Sequence, residues 1–418
     1  MDSTILGYSL PVAIAAFLAL YMAWAIGAND VANAMGTSVG SGALTLGGAI
    51  VVAAVFEFGG AFFAGAHVTE TIRKGILDTQ QLQREELVWG MLASLAAAGT
   101  WLLIASRAGW PVSTTHSIVG AIVGFGAVAI GPEAVQWGKV SQIVLSWITS
   151  PVMSGTIAFL VFKLIRSSVL DHDDPMARAR RVGPFFFFWV FFTIGLVTLY
   201  KGLKNLNLDF DLGESVGLSA LLGLFGAVFG FFLLKRIRRE PPDEKNRFSN
   251  VERVFAVLQI LTACAVAFAH GSNDVANAIG PLAAAVNAAQ GGDILGKAPV
   301  EAWMLGLGGV GIVVGLATYG YKVMATIGKH ITELTPSRGF AAELAAATTI
   351  VIASRAGIPV STTHTLVGAV LGVGLARGIG ALDLRVVGRI LVSWVVTLPT
   401  GAGLSIFFYF FFKGILSP

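Results

Sequence analysis

Two polar motifs of nearly the same sequence stand out in a chain that is otherwise rich in apolar residues. The first runs from Ser106 to His116 (SRAGWPVSTTH) and the second from Ser354 to His364 (SRAGIPVSTTH). The proline of each motif disfavours an unbroken helix, and the Ser-Thr-Thr run behind it is well suited to cap a new one. The start of such a helix offers free backbone N–H groups, the positive end of the helix dipole and three hydroxyls. Together these groups can bind an anion without a formal positive charge.

Two such helix starts that face each other would form one oxyanion site between two re-entrant helical hairpins, and we predict this arrangement. The candidate anion-binding residues are Ser113, Thr114, Thr115, Ser361, Thr362, Thr363, Asn29 and Asn273. The alternative is that the hydroxyls bond back to carbonyls one turn earlier in an ordinary helix. That alternative stays open for either motif alone, whereas the matched pair favours a site. We expect His116 and His364 to be structural hydrogen-bond donors.

A second duplicated pattern, Asn-Asp-Val-Ala-Asn, occurs at 29–33 and at 273–277. A carboxylate in an apolar segment costs about 2.5–3.5 kcal/mol at membrane depth, so it needs a partner. The nearby apolar sequence contains no Lys or Arg, whereas carboxylate and amide oxygens are ligands for a small hard cation. Flanking glycines predict a helix break that frees backbone carbonyls as well. The predicted Na⁺ ligands are Asp30, Asn33, Asp274 and Asn277, and the alternative is a helix cap with a carboxylate–amide bond.

Two glutamates, Glu57 and Glu343, also lie inside apolar runs, and we add them to the predicted Na⁺ ligands. Glu343 corresponds roughly to Ser94 in the first half, so it is not duplicated. The counterpart of Glu57 is Glu301 or an apolar residue, depending on where the alignment gap falls. Acids that break the internal symmetry suit ion or proton coupling. A carboxyl group kept neutral inside the helix bundle is the alternative.

The composition indicates the environment in which these residues act. Of 418 residues, 55% are hydrophobic and 12% are charged, whereas a soluble domain has about 25% charged residues. Several apolar runs are near 20 residues long, which is enough to span a bilayer as a helix. We predict an all-α polytopic protein of the cell membrane with about ten to twelve transmembrane helices. The single Cys264 excludes an intramolecular disulfide and a cysteine metal cluster. We expect no cleaved signal peptide, prosthetic group or nucleic-acid partner.

The chain repeats itself. Residues 106–126 and 354–374 are identical at 15 of 21 positions, and residues 26–36 match residues 270–280. We therefore divide the chain into a first repeat at 1–165, a connecting two-helix insert at 166–250, and a second repeat at 251–418.

Charge sets the expected orientation of these parts. Lysines and arginines cluster at 163–181 and at 235–253, which the positive-inside rule places in the cytoplasm, with the acidic loop at 209–214 outside. The first repeat then ends on the cytoplasmic side of the membrane, and the second repeat begins on that same side. An odd number of crossings per repeat would turn the two halves upside down relative to each other. Inverted repeats with interrupted helices are typical of secondary transporters that bind substrate near the middle of the membrane.

At these motifs the chain resembles the inorganic phosphate transporter (PiT) family. The resemblance rests on GANDVAN at 27–33, GSNDVAN at 271–277 and both PVSTTH turns, and it extends over nearly the whole chain. The stretch at 37–42 and the run ETIRKG at 70–75 are closer to its sodium-coupled branch, where Glu57 and Glu343 also match glutamates tied to transport. The cytoplasmic stretch at 235–253 is shorter than in animal members, so regulation through it is not expected. Thr114 adds a hydroxyl that their first turn often lacks.

The resemblance and the duplicated polar residues together predict a Na⁺-coupled symporter of inorganic phosphate, assembled as a homo-oligomer, with a dimer the simplest case. Proton-coupled phosphate or metal-phosphate transport, sulfate transport and an anion channel remain alternatives from the same motifs. A membrane hydrolase using Ser113, His116 and Asp30 is the enzyme alternative. It is disfavoured because the serine and histidine lie on one helix start, the sequence has no nucleophile elbow, and the polar set is duplicated.

Overall fold

The computed structural model describes residues 4–5, 8–65, 76–77, 82–199, 210–237, 248–292, 298–355 and 360–417, which are almost entirely helical. Two short antiparallel strands, β1 (Thr4–Ile5) and β2 (Tyr8–Ser9), precede the first helix. The helices are α1 (Leu10–Ile26), α2 (Ala32–Gly40), α3 (Leu46–Ala64), α4 (Arg84–Arg107), α5 (Thr114–Ala129), α6 (Trp137–Ile165), α7 (Pro175–Val197), α8 (Leu212–Arg236), α9 (Ser249–Asp274), α10 (Ala276–Ala289), α11 (Ala302–Tyr319), α12 (Tyr321–Ala325), α13 (Pro336–Arg355), α14 (Thr362–Arg377) and α15 (Leu384–Leu416). Two short 3₁₀ turns, Pro132–Ala134 and Ile379–Ala381, precede α6 and α15.

The outer surface of the bundle is apolar. Large side chains such as Phe17, Phe63 and Ile148 are about two-thirds exposed. Nine helices in the described ranges are long and apolar enough to cross a membrane. The chain is therefore a multi-pass α-helical membrane protein, as predicted. The expected ten to twelve helices exceed these nine, because the hairpin helices α5, α13 and α14 are shorter or less apolar.

The predicted helix break in the first Asn-Asp motif is not observed, and this expectation is wrong. Residues Gly27–Val31 form a π-helical turn that joins α1 to α2 without leaving helical geometry. In the second copy, α9 runs through Asp274 and a single turn residue, Val275, precedes α10. A π turn widens the helix by one residue per turn, so it can reorient side chains while backbone bonding is retained. The preference of asparagine and aspartate for non-helical backbone is therefore overridden here, and the chain forms a π turn instead of a helix break.

Two helical hairpins have the predicted form. The first consists of α4, a turn at 108–113 and α5; the second consists of α13 and α14, whose connection at 356–359, with Pro359, lies outside the described residues. Ser113 and Ser361 have extended backbones and accept hydrogen bonds from the N–H groups of His116 and His364. They are therefore the N-caps of α5 and α14, so a new helix begins at each Ser-Thr-Thr run.

The two halves interlock through close helix crossings. Helix α1 and the π turn that follows it lie on α11, and each partner places a glycine against the backbone of the other. A Cβ added to Gly27 would lie 1.8 Å from the carbonyl oxygen of Ile312, and one added to Gly315 would lie 1.9 Å from that of Trp24. Only glycine permits this approach, which is how membrane helices gain packing contacts.

The crossing of α9 on α3 reproduces this geometry. A Cβ on Gly271 would lie 2.2 Å from the carbonyl oxygen of Glu57, and one on Gly60 would lie 2.1 Å from that of Phe268. Gly271 matches Gly27 in the duplicated motif, so Glu57 occupies the position that Ile312 has in the other crossing. Of the two counterparts that the sequence left open for Glu57, the packing selects the apolar residue.

The hairpins cross between halves in the same reciprocal way. Gly124 of α5 packs against the backbone of Ala402 in α15, and Gly372 of α14 packs against Gly155 in α6. The insert formed by α7 and α8 joins the second half, where Phe186 contacts Phe255 and Phe340. Each polar motif is therefore held between elements of both repeats.

Candidate functional site

Asp30 lies on the π turn between α1 and α2 and is buried. Its carboxylate accepts hydrogen bonds from Thr114 Oγ1 at 2.7 Å and from Thr363 Oγ1. Thr114 opens the return helix of the first hairpin, and Thr363 belongs to the second. One carboxylate thus contacts the tips of both hairpins.

Asp274, at the end of α9, is the equivalent residue of the second half and is also buried. Its carboxylate accepts from Thr362 Oγ1 at 3.1 Å and from the amides of Asn273 and Asn277, each at 3.2 Å. Asn277 also donates toward the hydroxyl oxygens of Thr114 and Thr115, at 3.2 and 3.3 Å. The Asp274 cluster therefore contacts both helix starts, that of α14 through Thr362 and that of α5 through Asn277.

His270 connects the two aspartates to Glu57. Its Nε2 atom lies 2.8 Å from Asp274 and 3.8 Å from Asp30, and its Nδ1 atom lies 3.0 Å from Glu57 Oε2. All four side chains are buried. The ligand atoms of Asp30, His270 and Asp274 lie within 4.8 Å of one another, so one cation could contact all three. A positive charge at this point would offset several buried carboxylates.

Three of the predicted anion ligands form hydrogen bonds with backbone groups near the hairpin tips. Ser113 and Ser361 accept the capping hydrogen bonds already described. Asn29 donates to Ser106 Oγ at 3.0 Å and to the carbonyl of Trp110 at 2.9 Å, and accepts from the N–H of Val112 at 3.1 Å. Asn29 therefore fixes the turn that leads into the first hairpin tip. The side chain of Asn33 lies outside the described residues.

Glu343 lies away from this centre, in a cluster of its own. Its Oε1 atom accepts from Thr37 and Ser38, each at 2.7 Å, and from Gln259 at 3.2 Å, while Oε2 accepts from Thr262 at 2.6 Å. These residues come from α2, α9 and α13. The carboxylate is fully buried, and in the part of the chain that the structure describes its four hydrogen-bond donors are all neutral.

A small cavity adjoins Asp30. It has a volume of about 20 Å³, room for about one water molecule or small ion. Its polar wall is formed by Asp30, His270, Asn273, Thr362 and Thr363. Ala34, Val266, Ala269, Ala346, Ile350 and Leu366 form its apolar wall.

The two motif histidines pack behind the hairpin tips. The rings of His116 and His364 are 4.7 Å apart, and each lies against a tryptophan, Trp147 at 4.8 Å and Trp394 at 3.7 Å. This stack joins the two hairpins through aromatic contacts. Trp394 also donates to the carbonyl of Pro111 at 3.0 Å. The two rings therefore pack as structural residues, but within the described residues the expected hydrogen bonds are not observed at Nδ1 of His116 or at either ring nitrogen of His364.

Sequence reasoning missed His270 and the partners of Glu343. A signal for His270 was present, because the matched position in the first half is Ile26, so a titratable residue replaces an apolar one in an otherwise repeated motif. For Gln259 and Thr262 the sequence offered only their spacing of three on one face of a helix. Their partner, Glu343, lies on a different helix, and nothing local indicates that contact.

The fold and the site indicate a class: a multi-pass membrane protein in which two helical hairpins meet at buried carboxylates is typical of transporters rather than enzymes. The profile of the phosphate transporter family matches residues 26–405. The chain belongs to this family.

Relatives cover almost the full length of the chain. It is 47% identical over 407 residues to a candidate phosphate permease of Haemophilus influenzae, with 97% of each chain covered. It is 46% identical to the chloroplastic inorganic phosphate transporter 2-1 of Arabidopsis thaliana, covering 95% of this chain and 71% of the relative. A solved structure titled "The sodium-dependent phosphate transporter" superposes with a TM-score of 0.87 at 44% identity, covering 97% of this chain and 99% of that one.

Proposed function

We propose that this phosphate transporter is a symporter that couples the entry of inorganic phosphate to Na⁺. Phosphate would lie between the two hairpin tips, with hydroxyls of Thr114, Thr115, Thr362 and Thr363 and the starts of α5 and α14 as donors. Asp30 and Asp274, with Asn277 and His270 beside them, would hold the cation. Ser113, Ser361 and Asn29 would shape the site, while Asn273 lines the adjoining cavity.

The supporting observation is the direct contact between proposed anion donors and proposed cation ligands. Thr114 and Thr363 donate to Asp30, and Thr362 donates to Asp274. A hydroxyl has one proton, so it cannot donate to a carboxylate and to phosphate at the same time. A sodium ion on the carboxylate would occupy its oxygens and release the hydroxyl to the anion.

Electrostatics acts in the same direction. Phosphate and two aspartates in a buried site are three like-charged groups, and each loses hydration there. A cation between them offsets both penalties. Each ion then raises the affinity for the other by the same factor, as thermodynamic linkage requires. Coupling thus follows from the shared site without a separate signalling element.

Glu343 is proposed as a ligand of a second sodium ion. Four neutral donors surround its carboxylate, and reorientation of the hydroxyls of Thr37, Ser38 and Thr262 would turn oxygen lone pairs toward a cation. Hydroxyl, amide and carboxylate oxygens suit a hard ion. Glu57 would act on the central site through His270.

Alternating access would come from movement of one set of helices against the other in the cell membrane. The reciprocal crossings of α1 on α11 and α9 on α3 are the pattern expected of two-fold related repeats. With the cytoplasmic assignment of the basic segments, that relation favours inverted repeats at 1–165 and 251–418, linked by the insert at 166–250. A homodimer remains our expectation for the assembly.

The test is radiolabelled phosphate uptake into proteoliposomes with an inward Na⁺ gradient, with K⁺ in place of Na⁺, and with an inward proton gradient alone. We expect concentrative uptake only with Na⁺, and inhibition by unlabelled phosphate but not by equal sulfate. Uptake driven by the proton gradient without Na⁺ would instead assign proton coupling, for which the His270–Glu57 pair is the candidate. Downhill uptake that never exceeds equilibrium would assign a channel.

A further inference from the structure

The cavity beside Asp30 and the Glu343 cluster share three helices, and they occupy the same face of each. On α2, Ala34 lines the cavity and Ser38, four residues later, donates to Glu343. On α9, Val266 lines the cavity and Thr262, four residues earlier, donates to Glu343. Residues four apart on a helix lie one above the other.

The third helix, α13, has a similar spacing of one helical turn between the cavity and the Glu343 cluster. On α13, Ala346 lines the cavity three residues after Glu343 itself. A helix rises about 1.5 Å per residue, so the Glu343 cluster lies about 4.5–6 Å beyond the cavity wall along all three helices. Along each of the three helices, the cavity-lining residue nearest to the Glu343 cluster is Ala34, Val266 or Ala346; we call these three buried residues the collar.

Polar groups continue beyond Glu343 toward the end of α2. Ser41, which is half-buried, donates to Gln259 Oε1 at 2.7 Å, and the next residue, Gly42, is exposed. This end of α2 lies toward the starts of α9 and α13. Those two starts are joined because the carboxylate of Glu252 accepts hydrogen bonds from the backbone N–H and the hydroxyl of Ser337, at 2.7 and 2.8 Å. Helix α9 begins within the basic segment at 235–253, so this is the expected cytoplasmic side.

We propose that sodium passes between the central site and the cytoplasm along this line, through the collar and past Glu343, on a route that excludes phosphate. A buried carboxylate on the route attracts cations and repels anions. Two of the three collar residues are alanines, so Val266 is the main apolar obstacle. A hydrophobic constriction blocks ions because water leaves it, and widening it restores conduction. The route rests on the proposed sodium coupling of the same centre.

The experiment measures radiolabelled Na⁺ entry into proteoliposomes without phosphate. Val266→Ala should raise this entry several-fold over the wild-type protein, and Ile350→Val, a smaller change in the cavity wall, should raise it less. Val254→Ala is the matched control, because Val254 is a buried valine of the same helix that does not line the cavity. It should leave entry at the wild-type level.

Adding Glu343→Gln or Thr262→Val to the Val266→Ala protein should return Na⁺ entry to the wild-type level. Persistent entry in both double variants would overturn the route, because sodium would then be leaving elsewhere. Wild-type entry in Val266→Ala and Ile350→Val, with phosphate uptake intact, would also overturn it. The assay contains no phosphate, so it tests the route independently of phosphate uptake. The proposed function is tested by the sodium dependence of phosphate uptake, and the two results can therefore be distinguished.

Discussion

Thr363 of the second hairpin donates its hydroxyl to Asp30, which precedes it by 333 residues in the chain. The same carboxylate accepts from Thr114 of the first hairpin at 2.7 Å. The two hairpin tips, one from each half, are therefore joined through a single acidic side chain. A cation bound to this carboxylate would act on both tips, and the proposed coupling of cation to anion rests on this contact.

Neutralising either aspartate should weaken the response to sodium. In Asp30→Asn and Asp274→Asn the charge that attracts the cation is lost, while hairpin hydroxyls keep an oxygen acceptor. A contact to a charged group contributes about 1.5–3 kcal/mol, so half-activation by Na⁺ should need roughly ten- to a hundredfold more. Phosphate affinity at saturating Na⁺ should change much less. Asp171→Asn is the control, because Asp171 is an exposed acid paired with Arg166. Unchanged sodium activation in both variants would remove these residues from the cation site.

Removing a tip hydroxyl should act mainly on phosphate. Thr115→Ala and Thr363→Ala each delete one donor, and a hydrogen bond contributes about 1 kcal/mol net, so the phosphate concentration for half-maximal uptake should rise about fivefold. Thr363→Ser should restore most of the loss because it keeps the hydroxyl. Thr156→Ala removes an exposed threonine of α6 that bonds only to its own helix, and it should change nothing. Wild-type phosphate affinity in both alanine variants would contradict the proposed site.

The sequence was informative wherever the relevant signal was local. Pro111 followed by Ser-Thr-Thr predicted a helix start, and Ser113 caps α5 as expected. The two Asp motifs predicted paired acids at one centre, and Asp30 and Asp274 do share His270. These signals are short-range in the chain and were present twice.

What the sequence did not reveal depends on contacts between distant helices. The composition around Asn29 favours a break, but a π turn satisfies the same backbone groups within a helix. The donors around Glu343 come from residues 81 to 306 positions away in the chain. The counterpart of Glu57 required the helix crossing itself, because the two repeats differ in length between their motifs. No periodicity in a single helix carries that information.

Glycines at the helix crossings should tolerate no side chain. In Gly315→Ala the new Cβ would lie 1.9 Å from the carbonyl oxygen of Trp24, so α1 and α11 must separate. Overpacking of this kind costs about 1–3 kcal/mol. The thermal unfolding temperature in detergent, measured by tryptophan fluorescence, should therefore fall. Gly217→Ala is matched to it, because Gly217 also lies inside a transmembrane helix but has open space at the Cβ position. It should unfold at the wild-type temperature or slightly above, and equal losses in the two variants would contradict the crossing.

The proposed inverted repeats predict that corresponding helix ends face opposite sides of the membrane. Helices α6 and α15 close the two repeats, and Ser167 and Ser417, just past their ends, are exposed. Cys264 is the only cysteine, so Cys264→Ala provides a background for Ser167→Cys and Ser417→Cys. In intact cells a membrane-impermeant maleimide should label the Ser417→Cys protein and spare the Ser167→Cys protein until the membrane is opened. Labelling of both from the same side would refute the inverted arrangement.

His270 breaks the internal symmetry of the two crossings, and its replacement should affect both stability and transport. His270 lies among Glu57, Asp30 and Asp274, while the matched positions of the first crossing carry isoleucines, Ile26 and Ile312. Leaving a buried polar group without its hydrogen-bond partner costs about 1–3 kcal/mol and more for a charged one, so His270→Gln should lower the unfolding temperature. His330→Gln, at an exposed position, is the control.

The double variant His270→Gln/Glu57→Gln also replaces the carboxylate that His270→Gln leaves without its partner, so it should unfold at a higher temperature than His270→Gln alone. The interaction between the two substitutions should be about 0.5–3 kcal/mol in a double-mutant cycle. Sodium-driven phosphate uptake should nevertheless stay low in both variants, because the central site has lost the residue that lies against both aspartates. Strictly additive losses of stability would show that His270 and Glu57 do not act as a unit. Restored uptake in the double variant would show that their charges matter only for folding.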